Sequence, residues 1–122
     1  MADQPPVVLE LIRALPYFRP LDEPALNHLA EQAVLRTAEA GEVLFLEGGA
    51  PAGLWMIVQG RAKIYKLNPD GLELVLRILG VGNTFNDISA LDGAANPANA
   101  AALSALTAWV LPAEPLQALI SG

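Results

Sequence analysis

The apolar positions in the first part of the chain recur at helical spacing. They predict a first helix around residues 8–15, which Pro16 ends. A second helix is predicted over residues 21–33, with Asp22 as its N-cap and Pro24 in its first turn. The apolar positions that define the two faces are Val8, Leu11, Ile12, Leu15, Leu26, Leu29 and Ala33.

Beyond Val34 the apolar positions form short runs that end at turns, a pattern typical of strands. The clearest turn is NPDG at residues 68–71. Short strands at this spacing predict a β-sandwich, a barrel or a jelly roll. The predicted strands are residues 42–46, 54–58, 61–67, 72–79, 101–106 and 109–111.

The pattern becomes helical again from Pro112 onward, with an apolar face that begins at Leu116, Leu119 and Ile120. A helix of about two turns is marginal without packing. We therefore expect this face to dock on the β-region, fray or pair with a second chain, and the chain to be part of a longer protein. The alternative is a complete domain whose last helix caps the β-core. The expected organisation is one domain over residues 1–122, with helices in 1–33, a β-roll in 34–112 and the start of a C-terminal helix in 113–122.

The composition indicates one folded domain, because 53% of the 122 residues are hydrophobic and only 16% are charged. The absence of cysteine excludes disulfides, iron–sulfur clusters and cysteine zinc sites within this chain. No apolar run approaches the roughly 18 residues of a membrane span, and the N-terminus lacks a basic signal-peptide region. We expect a cytoplasmic location and no membrane partner.

The net charge of −6, without a cluster of Lys and Arg, argues against direct contact with nucleic acid by this segment. If the protein acts on DNA, another segment must make the contact.

The residues needed for catalysis or for a metal site are missing from the sequence. His28 is the only histidine, so a cupin-like metal cluster cannot be assembled. No serine lies in a G-x-S-x-G context, and there is no phosphate-binding P-loop or dinucleotide fingerprint. We expect a protein that is not an enzyme and binds no metal. Glu73 and Arg77, four apart in a predicted strand, are expected to share a face as a surface pair.

Three stretches of the sequence resemble the cyclic nucleotide-binding domain. They are AGEVLFLEG at residues 40–48, LWMIVQGRAKIY at 54–65, and the NPDG turn with the LELVLRILGVG that follows it. Crp/Fnr (catabolite activator-like) transcription regulators share this domain with protein kinase A regulatory subunits and gated channels. The resemblance covers residues 21–119 and implies a mainly β fold, an eight-stranded double-stranded β-helix (jelly roll) with flanking N- and C-terminal helices.

The resemblance also gives a role to residues 82–103, GNTFNDISALDGAANPANAAAL, which neither alternate like a strand nor allow a long helix. In the family this stretch is the phosphate-binding cassette, G-[DE]-x-F-G-E-[LI]-[AS]-L-L followed by P-R-[ST]-A. A short helix presents backbone N–H groups to the cyclic phosphate, the glutamate takes the ribose hydroxyl, and the arginine pairs with the phosphate.

The cassette of this chain, residues 82–99, departs from the family pattern at four positions. Asn86 stands in place of the glycine, and Asp87 in place of the glutamate. Ala98 stands in place of the arginine, and Asn99 in place of the Ser or Thr. The positions that match are Gly82, Phe85, Ile88, Ser89, Leu91 and Pro97.

Ala98 is the departure that matters most for a ligand. Arginine meets the charge of a cyclic nucleotide with paired charge-assisted hydrogen bonds, whose loss lowers affinity by about two to four orders of magnitude. Asp87 is left without a compensating cation, and Asn86 is strained wherever glycine would adopt a positive φ. We therefore expect a degenerate ligand-binding cassette, no cofactor, and no standard binding of cAMP or cGMP. Arg77 is the alternative cation for the phosphate.

The function expected from this resemblance is that of the N-terminal sensor domain of a Crp/Fnr-type transcription regulator. Its small-molecule effector is not identified by the sequence. DNA would be bound through a further C-terminal domain, and the C-terminal helix could form a homodimer. The alternatives are a working cyclic nucleotide-binding module with an atypical pocket, and a ligand-free interaction scaffold.

Overall fold

The computed structural model of the chain describes residues 8–121, and the predictions for residues 1–7 and 122 lie outside the described residues. The N-terminal part contains α1 (Val8–Arg13), a 3-10 turn (Pro16–Phe18) and α2 (Glu23–Gln32). Asp22 caps α2 as predicted, since its Oδ1 accepts a hydrogen bond from the backbone N–H of Ala25 at 3.0 Å.

Eight strands of the described chain form two antiparallel sheets of four, ordered β1-β8-β3-β6 and β2-β7-β4-β5. This arrangement with flanking helices confirms the predicted mainly β jelly roll. The short α3 (Asp87–Asp92) follows β6, and α4 (Ala113–Ser121) follows β8. The strands are β1 (Val34–Ala38), β2 (Val43–Phe45), β3 (Leu54–Gln59), β4 (Ala62–Leu67), β5 (Glu73–Leu79), β6 (Thr84–Phe85), β7 (Asn99–Ala102) and β8 (Leu106–Leu111).

The main core lies between the two sheets and is centred on three aromatic rings. Phe45, Trp55 and Phe85 lie with ring centroids 5.6–6.0 Å apart. Such aromatic contacts add to the free energy gained by burying the rings. Small buried alanines of β7 and β8 let the two sheets approach each other around this cluster.

A second apolar cluster joins the helices to the β1-β8-β3-β6 sheet. Leu116 of α4 is fully buried in it. Leu119 packs partly against the same cluster, whereas Ile120 is 47% exposed. Of the three expected outcomes for this face, docking on the β-region is therefore the one observed.

The predicted strand at residues 101–106 is wrong in its bounds, because β7 ends at Ala102 and a turn precedes β8. In this turn the N–H of Leu103 donates to the carbonyl of Arg61 at 2.9 Å, and the N–H of Arg61 donates to Ser104 Oγ at 3.1 Å. These bonds to the neighbouring β3–β4 turn take the place of ladder bonds. Strands β1 and β6 were not among the predicted strand ranges.

The prediction that Glu73 and Arg77 share a face is also wrong. The register between β4 and β5 moves by two residues on β5 for one residue on β4, so Leu76 is the extra residue of a β-bulge. Arg77 is opposite Ile64, which packs on the core between the sheets, so Arg77 belongs to the inner face. Glu73, before the bulge, instead accepts a hydrogen bond from Lys63 Nζ at 2.6 Å.

Candidate functional site

A cleft of about 270 Å³ lies where the cassette meets the inner face of the second sheet. Its walls come from β2, β4, β5, β6, the start of α3 and the segment before β7. Five of the predicted site residues line it, and Arg77 joins them from β5. The lining residues are Phe45, Ile64, Arg77, Phe85, Asn86, Asp87, Ile88, Pro97 and Ala98.

Asn86 sets the direction in which the cassette helix α3 leaves β6. It has φ 67° and ψ 25°, the left-handed conformation for which the family pattern has glycine. Asparagine is among the residues that tolerate this region, although the conformation still costs free energy. Its Nδ2 donates to the carbonyl of Gly53 at 3.0 Å and to Asn96 Oδ1 at 3.1 Å. The side chain that replaces glycine thus fastens the cassette to the start of β3.

Asn96 is a buried polar centre between the cassette and the β2–β3 loop. Besides the bond from Asn86, its Oδ1 accepts from the N–H of Ala52 at 2.9 Å. Its Nδ2 donates to the carbonyls of Leu46 at 3.1 Å and Ala50 at 3.0 Å. The sequence prediction missed this role and used Asn96 only as a helix breaker. The available signal was an amide in a stretch of small residues that are otherwise mostly apolar.

Asp87 is the half-buried carboxylate of the cleft. Thr84 Oγ1 donates to its Oδ2 at 3.2 Å. Burial raises the pKa of Asp87 above its ordinary value, and a hydrogen bond from its own backbone N–H opposes that rise. Arg77 lines the same cleft, but no ion pair within residues 8–121 involves Asp87 or Arg77. The cleft therefore contains a carboxylate and a guanidinium that form no ion pair within the described residues.

Ala98 is 5% exposed and lines the cleft, so the position aligned with the family arginine faces this cleft. Asn99 lies outside the lining. Its Oδ1 accepts from the N–H of Glu47 at 2.8 Å, and its Nδ2 donates to the carbonyl of Tyr65 at 3.3 Å. This residue therefore joins β7 to the loop after β2 and to β4.

Two further predicted site residues also lie outside the lining and have local structural roles. Ser89 is buried in α3, and its Oγ donates to the carbonyl of Ala94 at 2.5 Å. Gly82 has φ 89° in the turn before β6, where its N–H donates to the carbonyl of Ile57 at 3.0 Å. Gly82 thus shapes the start of the cassette, and Ser89 joins α3 to the segment that follows it.

The cassette helix is tied to α4 as well as to the sheet. Gln117 Nε2 donates to the carbonyl of Ala90 at 2.5 Å, and the side chain of Gln117 lies against Gly93 at the end of α3. A displacement of α3 would therefore change the contacts that Gln117 of α4 makes with it.

The described part of the chain has neither a metal-binding cluster nor a membrane-spanning helix. Residues 8–121 contain no group of three or more His, Cys, Asp or Glu side chains that could hold a metal ion. No helix among the described residues has the length and apolar character needed to cross a membrane.

Comparison with known proteins places the chain among cyclic nucleotide-binding domains. The family model of the cyclic nucleotide-binding domain matches residues 35–122. The chain is 25% identical over 112 residues to the CRP-like cAMP-activated global transcriptional regulator of Mycobacterium tuberculosis. That match covers 92% of this chain and 50% of the relative, so the chain spans about half the length of the curated relatives it matches.

Solved structures with the same fold include both regulators of transcription and a kinase regulatory domain. The sensor domain of the transcriptional regulator DNR from Pseudomonas aeruginosa superposes with a TM-score of 0.82, over 94% of this chain and 77% of that one, at 23% identity. The regulatory domain of Toxoplasma gondii PKA, solved with cAMP, gives a TM-score of 0.78 over 90% of this chain and 42% of that one, at 28% identity.

Proposed function

Because the chain belongs to the cyclic nucleotide-binding domain family, we propose that it is the sensor domain of a Crp/Fnr-type transcription regulator and that its cleft does not hold cAMP or cGMP in the standard way. The observation that carries the second part is Ala98, which is buried in the cleft wall where the family has its phosphate-binding arginine.

The physical argument concerns one negative charge entering a partly desolvated cleft. A cyclic phosphate needs charge-assisted hydrogen bonds there to offset the loss of its hydration. Ala98 offers none, so no arginine at that position offsets the charge of the Asp87 carboxylate or of an entering phosphate. Arg77 is exposed at the rim, where solvent weakens its attraction for an anion. Together, the missing arginine and the solvent-weakened attraction of Arg77 disfavour binding of a cyclic nucleotide at micromolar concentration.

The proposal includes a route from the cleft to the rest of the protein. A ligand that shifts α3 would act on α4 through Gln117 and Ala90. DNA contact is assigned to a further C-terminal domain, because this chain carries a net charge of −6 and no basic cluster. The domain itself is proposed to be non-catalytic and cytoplasmic, with dimer formation through the C-terminal helix.

The test is calorimetric titration of the 122-residue chain with cAMP and with cGMP. The native chain should show no binding at micromolar concentration. The double variant Asp87→Glu, Ala98→Arg should gain measurable affinity, and Ala98→Arg alone should gain part of it. Asn86 and Asn99 stay unchanged, because their side chains make hydrogen bonds that hold the cassette and β7.

The matched control is Ala95→Arg, which adds the same charge at an exposed position of the same loop. It should not gain affinity for either nucleotide. Micromolar binding by the native chain would refute the proposal for the cleft. Equal gains in the Ala95 and Ala98 variants would show that net charge, rather than the position of the arginine, governs binding.

A further inference from the structure

The walls of the cleft are suited to a flat apolar body. Phe45 and Phe85 stack with their centroids 6.0 Å apart, and Ile64 and Ala98 complete the apolar surface. Ile88 is 72% exposed at the mouth of the cleft, where a bound ring would cover it.

The volume of the cleft limits the size of the occupant. A dry cavity of about 150 Å³ holds benzene, and ordinary ligand sites begin at about 300 Å³. At about 270 Å³, this cleft has room for one ring or two fused rings with a short substituent. A compact aromatic molecule of this size can lie within the walls of the cleft.

Arg77 gives the cleft a cation that no acidic side chain among residues 8–121 neutralises. The bulge at Leu76 turns this residue to the inner face, and no ion pair within residues 8–121 involves its guanidinium. The guanidinium fork matches the two oxygens of a carboxylate, which it can bind through parallel hydrogen bonds. Arg77 thus sets a preference for an acid at the rim.

Asp87, which is less exposed than Arg77, requires a hydrogen-bond donor from a ligand in the cleft. Its carboxylate accepts one hydrogen bond from Thr84 and has further acceptor sites that no side chain of the described residues fills. The nearby amide of Asn86 is already engaged with Gly53 and Asn96. The partner suited to Asp87 is therefore an N–H or O–H donor and not an anion.

We infer that the cleft binds a compact aromatic carboxylate, whose acid group pairs with Arg77 and whose ring N–H or O–H donates to Asp87. The inference rests on the proposed function, because it assigns an effector to the same cleft. It differs from the family's mode of binding in using a cation from β5 in place of one at position 98.

Four probes separate the groups that the inference requires. Indole-3-acetate carries the ring, the N–H and the carboxylate. 3-Methylindole lacks the carboxylate, 1-naphthylacetate lacks the N–H, and cAMP tests the nucleotide. Each is titrated into the ¹⁵N-labelled 122-residue chain, and the backbone amide shifts of Asn86, Ile88 and Arg77 are followed.

Indole-3-acetate should bind most tightly and shift these amides. Arg77 is exposed, so loss of its pairing should weaken binding about fivefold, which corresponds to ~1 kcal/mol. Arg77→Gln should therefore lower the affinity for indole-3-acetate about fivefold and leave that for 3-methylindole unchanged. The control Arg61→Gln removes an exposed arginine outside the cleft and should change neither affinity.

Absence of binding by indole-3-acetate, or equal binding of 3-methylindole, would overturn the inference. So would equal losses in the two arginine variants, because that result reflects net charge alone. Tight binding of cAMP would instead refute the proposed function, so the two failures are distinguishable in one titration series. Shifts confined to amides outside the cleft would also overturn the inference.

Discussion

The side chain of Asn96 makes four hydrogen bonds, three to the β2–β3 loop and one to Asn86 within the cassette, and Asn96→Ala removes all of them. Asn96 is 3% exposed, so water has little access to the groups left behind. At about 1 kcal/mol net for each bond, the free energy of unfolding should fall by about 3–4 kcal/mol. A domain of this size has a stability of roughly 5–15 kcal/mol, so the variant should stay folded.

The assay is reversible thermal and urea unfolding of the native chain, Asn96→Ala and a control. The loss should lower the melting temperature by about 12–16 °C, at roughly 4 °C per kcal/mol. Asn27→Ala is the control, because Asn27 is an exposed asparagine on α2. Its free energy of unfolding should change by no more than about 0.5 kcal/mol.

A double-mutant cycle with Asn86→Ala tests whether the two amides act together. The coupling energy should be at least about 0.5 kcal/mol, because the two side chains share one hydrogen bond. A loss below about 1 kcal/mol for Asn96→Ala, or additive effects in the cycle, would refute the reasoning that Asn96 holds the cassette in place.

Two further predictions concern backbone geometry and pH. Gly60→Ala should lower the free energy of unfolding in urea by about 2–4 kcal/mol, because the added Cβ would overlap the carbonyl oxygen of Ala105 and φ is 85°. The control Gly71→Ala, at φ 82° with open space around it, should lower it by only about 1 kcal/mol. Equal losses in the two variants would exclude the overlap as the cause. Asp87→Asn should raise the free energy of unfolding at neutral pH, because burial raises the pKa of Asp87 above its ordinary value of 3.8 and so disfavours the charged form in the folded state. The gain should vanish as the pH falls below that ordinary value, which unfolding at about pH 3 and about pH 7 measures. A gain independent of pH, or an equal gain in the exposed control Asp70→Asn, would contradict the prediction.

The strands with clear apolar runs between turns could be predicted from the sequence. Residues 54–58, 61–67 and 72–79 correspond within one residue at each end to β3, β4 and β5. The family resemblance then identified the cassette, and its predicted strain at Asn86 agrees with the positive φ found there. These features depend on local pattern or on a motif, which a single chain displays directly.

The prediction failed where the local sequence shows no alternation of apolar and polar residues, or where the structure depends on distant residues. β6 has two residues, too few for a periodic signal, and β7 consists of Asn99 followed by alanines that look alike on either face. The bulge at Leu76 depends on pairing with β4, so the strand alone gives the wrong face for Arg77. The four hydrogen bonds of Asn96 join it to residues that lie 10 to 50 positions away in the sequence, and no spacing rule connects these residues.

The bulged strand β5 also has a consequence for local opening of the domain. It is paired with β4 alone, and six of its seven residues are exposed, so little apolar contact opposes its separation. Amide hydrogen exchange should therefore be fastest in β5 and slowest in β8, which is paired on both sides and lies under the helices. We expect such opening of β5 to give a molecule a path into the cleft past Arg77 while the cassette helix stays in place.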